Sequence, residues 1–102
     1  MSHSIALVDN EPDTVKLFDD ILTANGYNVA GFTNPLLALE HIKENHKEID
    51  LILCDYKMPY LSGYDLALKI AEINSAIRII IITAVNDIGN NPLKLQVYLN
   101  HY

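Results

Sequence analysis

A parallel β-sheet wound with helices on both faces is the α/β fold class this chain predicts, and three observations carry the prediction. The apolar runs Ile5-Ala6-Leu7-Val8, Leu51-Ile52-Leu53-Cys54 and Ile79-Ile80-Ile81-Ile82 are continuous rather than alternating, as strands dry on both sides require. Segments with apolar residues at helical spacing lie between them, so strand and helix alternate in the manner of βαβ units. Each run also stops at a polar residue, at Asp9, Asp55 and Thr83. Ligands of such sheets sit beyond the carboxyl ends of the strands, so these three residues are predicted to meet at one edge.

The elements follow in order. Pro12-Asp13-Thr14 starts a helix, and Val15, Phe18, Ile21 and Leu22 recur at helical spacing until Asn25-Gly26 stops it. A short strand is predicted near Val29. Asn34 then caps a helix with Pro35 in its first turn, and Leu36, Leu39 and Ile42 are its expected buried stripe. Asp50 leads into the strand that ends at Asp55. A third helix is predicted from Ser62 to Glu72, with Leu66, Ile70 and Ile73 inward, and a fourth strand from Ile77 to Thr83. From Asn86 to Val97 a helix is expected on a weaker pattern, interrupted by Gly89 and Pro92.

Composition narrows the function classes. The chain has 102 residues, enough for one core, so residues 1–102 are expected to form a single domain with no separate effector. A formal charge of −6 with seven scattered basic residues argues against direct binding of a nucleic-acid backbone. Cys54 is the only cysteine, which excludes an internal disulfide and a thiolate-rich metal site, and it reads as a small buried hydrophobe. The longest apolar run is too short to cross a bilayer, and Met1-Ser2-His3-Ser4 carries no basic residue, so no secretory signal is predicted and a cytoplasmic location is expected. His3, His41, His46 and His101 read as solvated, and Tyr56, Tyr60 and Tyr64 as surface or partner-facing.

Three stretches, Leu7-Val8-Asp9-Asn10-Glu11-Pro12, Asp55-Tyr56-Lys57-Met58-Pro59 with Gly63, and Ile81-Ile82-Thr83-Ala84, lie in an order and at separations that resemble the receiver domains of two-component response regulators. The central stretch is the most specific, and the resemblance runs from Ile5 onward. It implies a flavodoxin-like (βα)5 fold with strand order 2-1-3-4-5. It further implies a phosphoryl group taken by Asp55 from a histidine kinase or phosphotransfer protein, a Mg²⁺ cofactor, a downstream protein target, and no enzyme activity beyond self-phosphorylation and autodephosphorylation. On the matching positions, Asp55 is the phosphoacceptor and Thr83 the switch hydroxyl. Asp9, Asn10, Asp55 and the Lys57 backbone carbonyl are the metal ligands, with Glu11 a further candidate, and Tyr102 stands near the aromatic switch position.

The residues suit that chemistry, since a carboxylate forms an acyl phosphate and a hard cation offsets repulsion among anionic donor, acceptor and product. Two departures stand out. Asn10 occupies a position where the family often has an acid, which removes one negative charge. Counting on from Thr83, the family's Lys-Pro pair falls just beyond Tyr102, so Gln96 to Tyr102 is expected to hold the start of the fifth strand, and the chain to be a receiver incomplete at that strand and lacking the fifth helix, or one completed by a second chain. Such a chain would leave one face of Ile77 to Ile82 poorly covered and would favour a homo-oligomer. Other classes fit less well. A haloacid-dehalogenase phosphatase wants a second Asp where Lys57 stands, and a nucleotide-binding module wants a Gly-rich loop where Asp9-Asn10-Glu11-Pro12 is acidic. The serious alternative is a receiver-like interaction module that is not phosphorylated.

Overall fold

The computed structural model of the chain describes residues 3–85 and 94–100, with side-chain surroundings described for residues 3–82. Four strands run parallel in the order β2-β1-β3-β4: β1 (Ser4–Val8), β2 (Asn28–Phe32), β3 (Leu51–Asp55) and β4 (Arg78–Val85). They are connected by α1 (Pro12–Ala24), α2 (Pro35–Asn45), a single 3-10 turn (His46–Glu48) and α3 (Gly63–Ile73). Parallel pairing follows from the helical crossovers, and it puts the carboxyl ends of β1, β3 and β4 at the same edge.

β5 (Lys94–Asn100) extends the order to 2-1-3-4-5 but runs antiparallel to β4, with Thr83 opposite Gln96 and Ile79 opposite Asn100. The helix expected from Asn86 to Val97 is therefore corrected at residues 94–97, which are strand, while residues 86–93 lie outside the described residues. Chain length accounts for the direction. A parallel return needs a crossover of about a dozen residues or more, whereas residues 86–93 are only eight.

The main core lies on one face of the sheet. Ala38, Leu39 and Ile42 of α2 and Leu66, Ala67 and Ile70 of α3 pack against Ala6, Val8, Ile52, Cys54, Ile79 and Ile81. Both helices are capped: the Asn34 side chain accepts from the Leu36 N–H at 2.8 Å, as its sequence predicts, and Ser62, expected as the first residue of the third helix, is instead its cap, with Oγ accepting from the Asp65 N–H at 3.1 Å. The stripe predicted for α2 needs one correction. Pro35, Ala38, Leu39 and Ile42 are buried, an i, i+3, i+4, i+7 set, and Leu36 sits a third of a turn away and is 46% exposed.

The other face is covered less completely. Helix α1 packs on β2 and β1 and contains no fully buried residue, and Ile21, one of its apolar residues at helical spacing, is 48% exposed. Leu51, Leu53, Ile80 and Ile82 point to this layer and are only half-buried, while Ile52, Cys54, Ile79 and Ile81 alternate with them and are buried. Two histidines expected in solvent are half-buried: the His41 ring lies 5.0 Å from that of Phe32, and His46 Nδ1 is 3.2 Å from Asn74 Nδ2. His3 is exposed, with Nδ1 3.6 Å from Asp50 Oδ2, and His101 lies outside the described residues. Among the described residues, no helix is long and apolar enough to cross a membrane.

Neighbouring positions of α3 test this division. Ile70 is fully buried and Leu68 is 48% exposed. By chemical denaturation, Ile70→Ala should lose about 2–5 kcal/mol through lost burial and a residual cavity, and Leu68→Ala no more than about 0.5 kcal/mol.

Candidate functional site

Register builds the site. Val8 pairs with Cys54 and Asp55 with Ile82, so Asp9 and Asp55 leave adjacent strands at one level, with Thr83 the next residue along β4. The strand tips are held by backbone bonds that continue the ladder past each strand end. The Asp9 N–H donates to the Phe32 carbonyl at 3.0 Å, and the Tyr56 N–H donates to the Ile82 carbonyl at 3.0 Å. Asp9 and Asp55 line a cleft of about 40 Å³ with Leu7, Val8, Phe18, Leu53, Cys54 and Ile82. That volume suits a water molecule or a single ion, and Phe18, read in the sequence only as part of a helical stripe, lines it.

Both carboxyls are half-buried, and the electrostatics follow. Burial holds Asp55 above its ordinary value, the Asp9 charge pushes the same way, and the backbone N–H groups of Tyr56 and Lys57 pull it part of the way back. Asp9 is also raised, first by burial; the Glu11 N–H, donated to its Oδ1 at 2.9 Å, opposes this, and the Glu11 charge adds to it. Cys54, on the strand beside them, has its thiol pushed up to about 12 by burial and by the Asp55 charge, which makes it an inert core side chain.

The remaining candidates are placed less closely. Asn10 is half-buried in the turn, and Glu11 is exposed at the N-terminal cap of α1. Among the described residues no three His, Cys, Asp or Glu side chains gather as a metal cage. Lys57 is exposed on the loop after Asp55. Thr83 has a backbone position in β4, while its side chain and all of Tyr102 lie outside what is described.

An oxygen-only donor set of two carboxylates, each held above its ordinary value and so short of countercharge, fits Mg²⁺ in kind. This ion takes oxygen ligands, is commonly bound by one or two carboxylates, and keeps several waters. Asp9 and Asp55 would hold it, with the Lys57 carbonyl and the Asn10 side chain, on the segments that follow them, as the further oxygen donors the motif offers.

Gly63 shapes the site in a way its place in the motif does not announce. Its N–H donates to the Tyr56 carbonyl at 2.8 Å and closes the loop that follows Asp55. A Cβ there would collide with the Asp55 carbonyl oxygen and stand 3.0 Å from the Tyr56 Cα, both backbone atoms that cannot turn aside. The first turn of α3 thus lies directly against the segment carrying Asp55.

Comparison with known proteins shows the family and the fold. The response regulator receiver domain model matches residues 5–100. The chain is 34% identical over 85 residues to the phosphoglycerate transport system transcriptional regulatory protein PgtA of Salmonella typhimurium, covering 83% of this chain and 20% of PgtA. It thus spans about a fifth of that relative's length. Among solved structures, a response regulator receiver domain protein from Clostridium thermocellum superposes with a TM-score of 0.78 at 30% identity, over 79% of this chain and 64% of that one. The CheX-CheY-BeF3-Mg²⁺ complex from Borrelia burgdorferi gives 0.77 at 26% identity, over 84% of this chain and 65% of the matched one.

The raised carboxyls set a pH dependence. A group raised in the folded state contributes stability that is complete below its unfolded value and is lost as pH climbs through the folded value. In metal-free buffer Asp55→Asn should therefore melt higher than the parent at neutral pH, with the gain shrinking on acidification and absent below about pH 4. Calorimetry across that range checks it, and a gain independent of pH contradicts it. Gly63→Ala should cost about 1–3 kcal/mol by overpacking and should shift the amide resonances of Asp55 to Lys57. Gly31→Ala would meet Val15 Cγ1 at 2.7 Å, on the far side of β1, and should leave those resonances in place.

Proposed function

Because the chain belongs to the response regulator receiver domain family, we propose that it is a phosphoacceptor of two-component signalling, working in the cytoplasm and switching a protein-binding surface when Asp55 is phosphorylated. The observation that carries the reading is the pairing of Asp9 and Asp55 in one small cleft at the strand tips, each carboxyl raised by burial. A phosphoacceptor carboxylate must be reachable, held still and short of countercharge, and those are the properties of Asp55.

In this reading a carboxylate oxygen of Asp55 attacks the phosphorus of a phosphohistidine. A P–O bond forms, the P–N bond breaks, and the imidazole leaves with the electron pair and takes a proton from water. Mg²⁺, when bound, neutralises charge on the phosphoryl oxygens. Asp9 orients the pair and supplies the second carboxylate, while the ladder bond from the Tyr56 N–H to the Ile82 carbonyl keeps Asp55 from swinging away during attack. The Thr83 hydroxyl is assigned the bond to the phosphoryl group that passes the change to β4. Residues 1–102 act as one receiver unit in this account, with a histidine kinase or phosphotransfer protein as donor and a downstream protein as target.

Support for Mg²⁺ comes from the oxygen-only donor set and from the similar Borrelia burgdorferi complex, whose composition includes BeF3 and Mg²⁺. A receiver-like module that is never phosphorylated is the second reading, favoured because no three His, Cys, Asp or Glu side chains gather as a metal cage among the described residues. Intact-mass spectrometry after incubation with acetyl phosphate separates the two. One added phosphoryl group is expected with Mg²⁺, and none with excess chelator or in Asp55→Asn. A parent chain that gains nothing in the presence of Mg²⁺ supports the second reading.

A further inference from the structure

At the amino edge of the sheet, opposite the cleft of Asp9 and Asp55, lies a second concavity of about 690 Å³. A volume of this order is that of small-molecule sites, which join an apolar body to a few convergent polar groups. Its floor is apolar: Ile5, Ile49 and Ile77 are buried, and Leu51 and Ile80 belong to the half-covered layer. The walls are tied together by the backbone. The Asp50 N–H donates to the Ser4 carbonyl at 2.9 Å and the Arg78 N–H to the Asp50 carbonyl at 3.4 Å, so the starts of β1, β3 and β4 are held in one row.

The rim carries a charge unlike that of the chain. Thirteen acidic residues against seven basic ones leave the protein at −6, yet this cleft is bordered by its only arginine, Arg78, by Lys47, and by His3 and His46. Among the described residues neither Lys47 nor Arg78 has an ion-pair partner, the two ion pairs being His3 with Asp50 and Lys16 with Asp20. Asp50, the one acid in the lining, is already engaged: its Oδ2 accepts from the Ser4 N–H at 2.8 Å and stands 3.6 Å from His3 Nδ1. His46 adds a donor. Asn74 Oδ1 accepts from the Ala76 N–H at 3.0 Å, which leaves the Asn74 amide nitrogen 3.2 Å from His46 Nδ1. That ring nitrogen is the acceptor, so in the neutral ring the proton sits on Nε2.

We propose that this cleft binds a nucleoside phosphate, its phosphate held by Arg78 and Lys47 at the rim and its base laid on the isoleucine floor beside Tyr27. Charge complementarity sets the anionic end, and guanidinium is the side chain that meets a phosphate with paired N–H donors. The apolar floor and the rings of Tyr27, His3 and His46 around one opening set the other end as a flat ring rather than a second charge. A nucleic-acid strand is a poorer occupant, because two cations at one cleft make no track for a backbone on an otherwise acidic chain. The site shares no residue with the cleft of Asp9 and Asp55 and stands whether or not Asp55 accepts a phosphoryl group.

The test is an amide NMR titration of the full chain with adenosine and guanosine diphosphate, the free nucleosides and inorganic phosphate, run with chelator so that no divalent ion draws phosphate to the acidic cleft. At least one diphosphate should saturate, with its largest shifts at residues 46–51 and 76–80 and with the amides of Asp9 and Asp55 in place. Its nucleoside and phosphate alone should each bind about tenfold more weakly or worse, since each keeps only part of the contact. Arg78→Gln and Lys47→Gln, both at exposed positions, should keep the parent's melting temperature and raise Kd about tenfold through one lost charge-assisted contact. Lys69→Gln, exposed on α3 outside the cleft, should leave Kd unchanged, and Asp55→Asn should bind as the parent does. Saturation by neither diphosphate overturns the proposal, as do shifts centred on Asp9 and Asp55. Phosphate or nucleoside binding as tightly as the diphosphate overturns it too, and so does equal weakening by Lys69→Gln and Arg78→Gln, which marks an effect of bulk charge.

Discussion

Two carboxyl groups leave adjacent parallel strands at the same level, and the sheet's register gives them nowhere else to go. With Val8 opposite Cys54, Asp9 and Asp55 share one cleft beside the dry core side chains Leu7, Val8 and Cys54. Their ionisation is opposed by burial in both cases and by the neighbouring charge at Asp55. A fold that keeps two such groups together at neutral pH carries an electrostatic cost that a bound cation or a phosphoryl-transfer partner can use. The rest of the molecule follows as support: backbone bonds lock the strand tips, α3 presses its glycine against the Asp55 segment, and α2 and α3 bury the face beneath.

The strands and the acidic edge were legible in the sequence because the pattern that announces them is also their physical cause. An apolar run of four residues ending in Asp is a strand leaving a dry sheet, and three runs ending alike share an edge once the crossovers are helical. The Asn34 cap was equally readable, since its side chain does locally what it favours, whereas Ser62, read as the first residue of a helix, caps it instead. Helix facing was less so. In α2 the adjacent Leu36 and Leu37 offer competing stripes, and the buried one runs through Pro35 and Ala38, which apolar counting undervalues.

Features that depend on distant chain were not legible. The direction of β5 is decided by how few residues separate it from β4, a constraint that a helical pattern over Asn86 to Val97 obscures. Gly63 reads as one letter of a motif until the Asp55 carbonyl is placed against it. The left-handed turn at Tyr60 is likewise invisible, because nothing in Met58-Pro59-Tyr60-Leu61 alone states that both neighbours are anchored inward. Half-burial of Leu53, Ile80 and Ile82 arises because α1 lies over β2 and β1 rather than over β3 and β4.

The most direct test of the coupled pair is a carboxyl-carbon NMR titration of Asp9 and Asp55, run with and without Mg²⁺. Both groups should titrate above the usual aspartate range in metal-free buffer, and Mg²⁺ should move both downward together. If both titrate at ordinary values and ignore the ion, the two side chains do not form the strained acidic site on which this account depends.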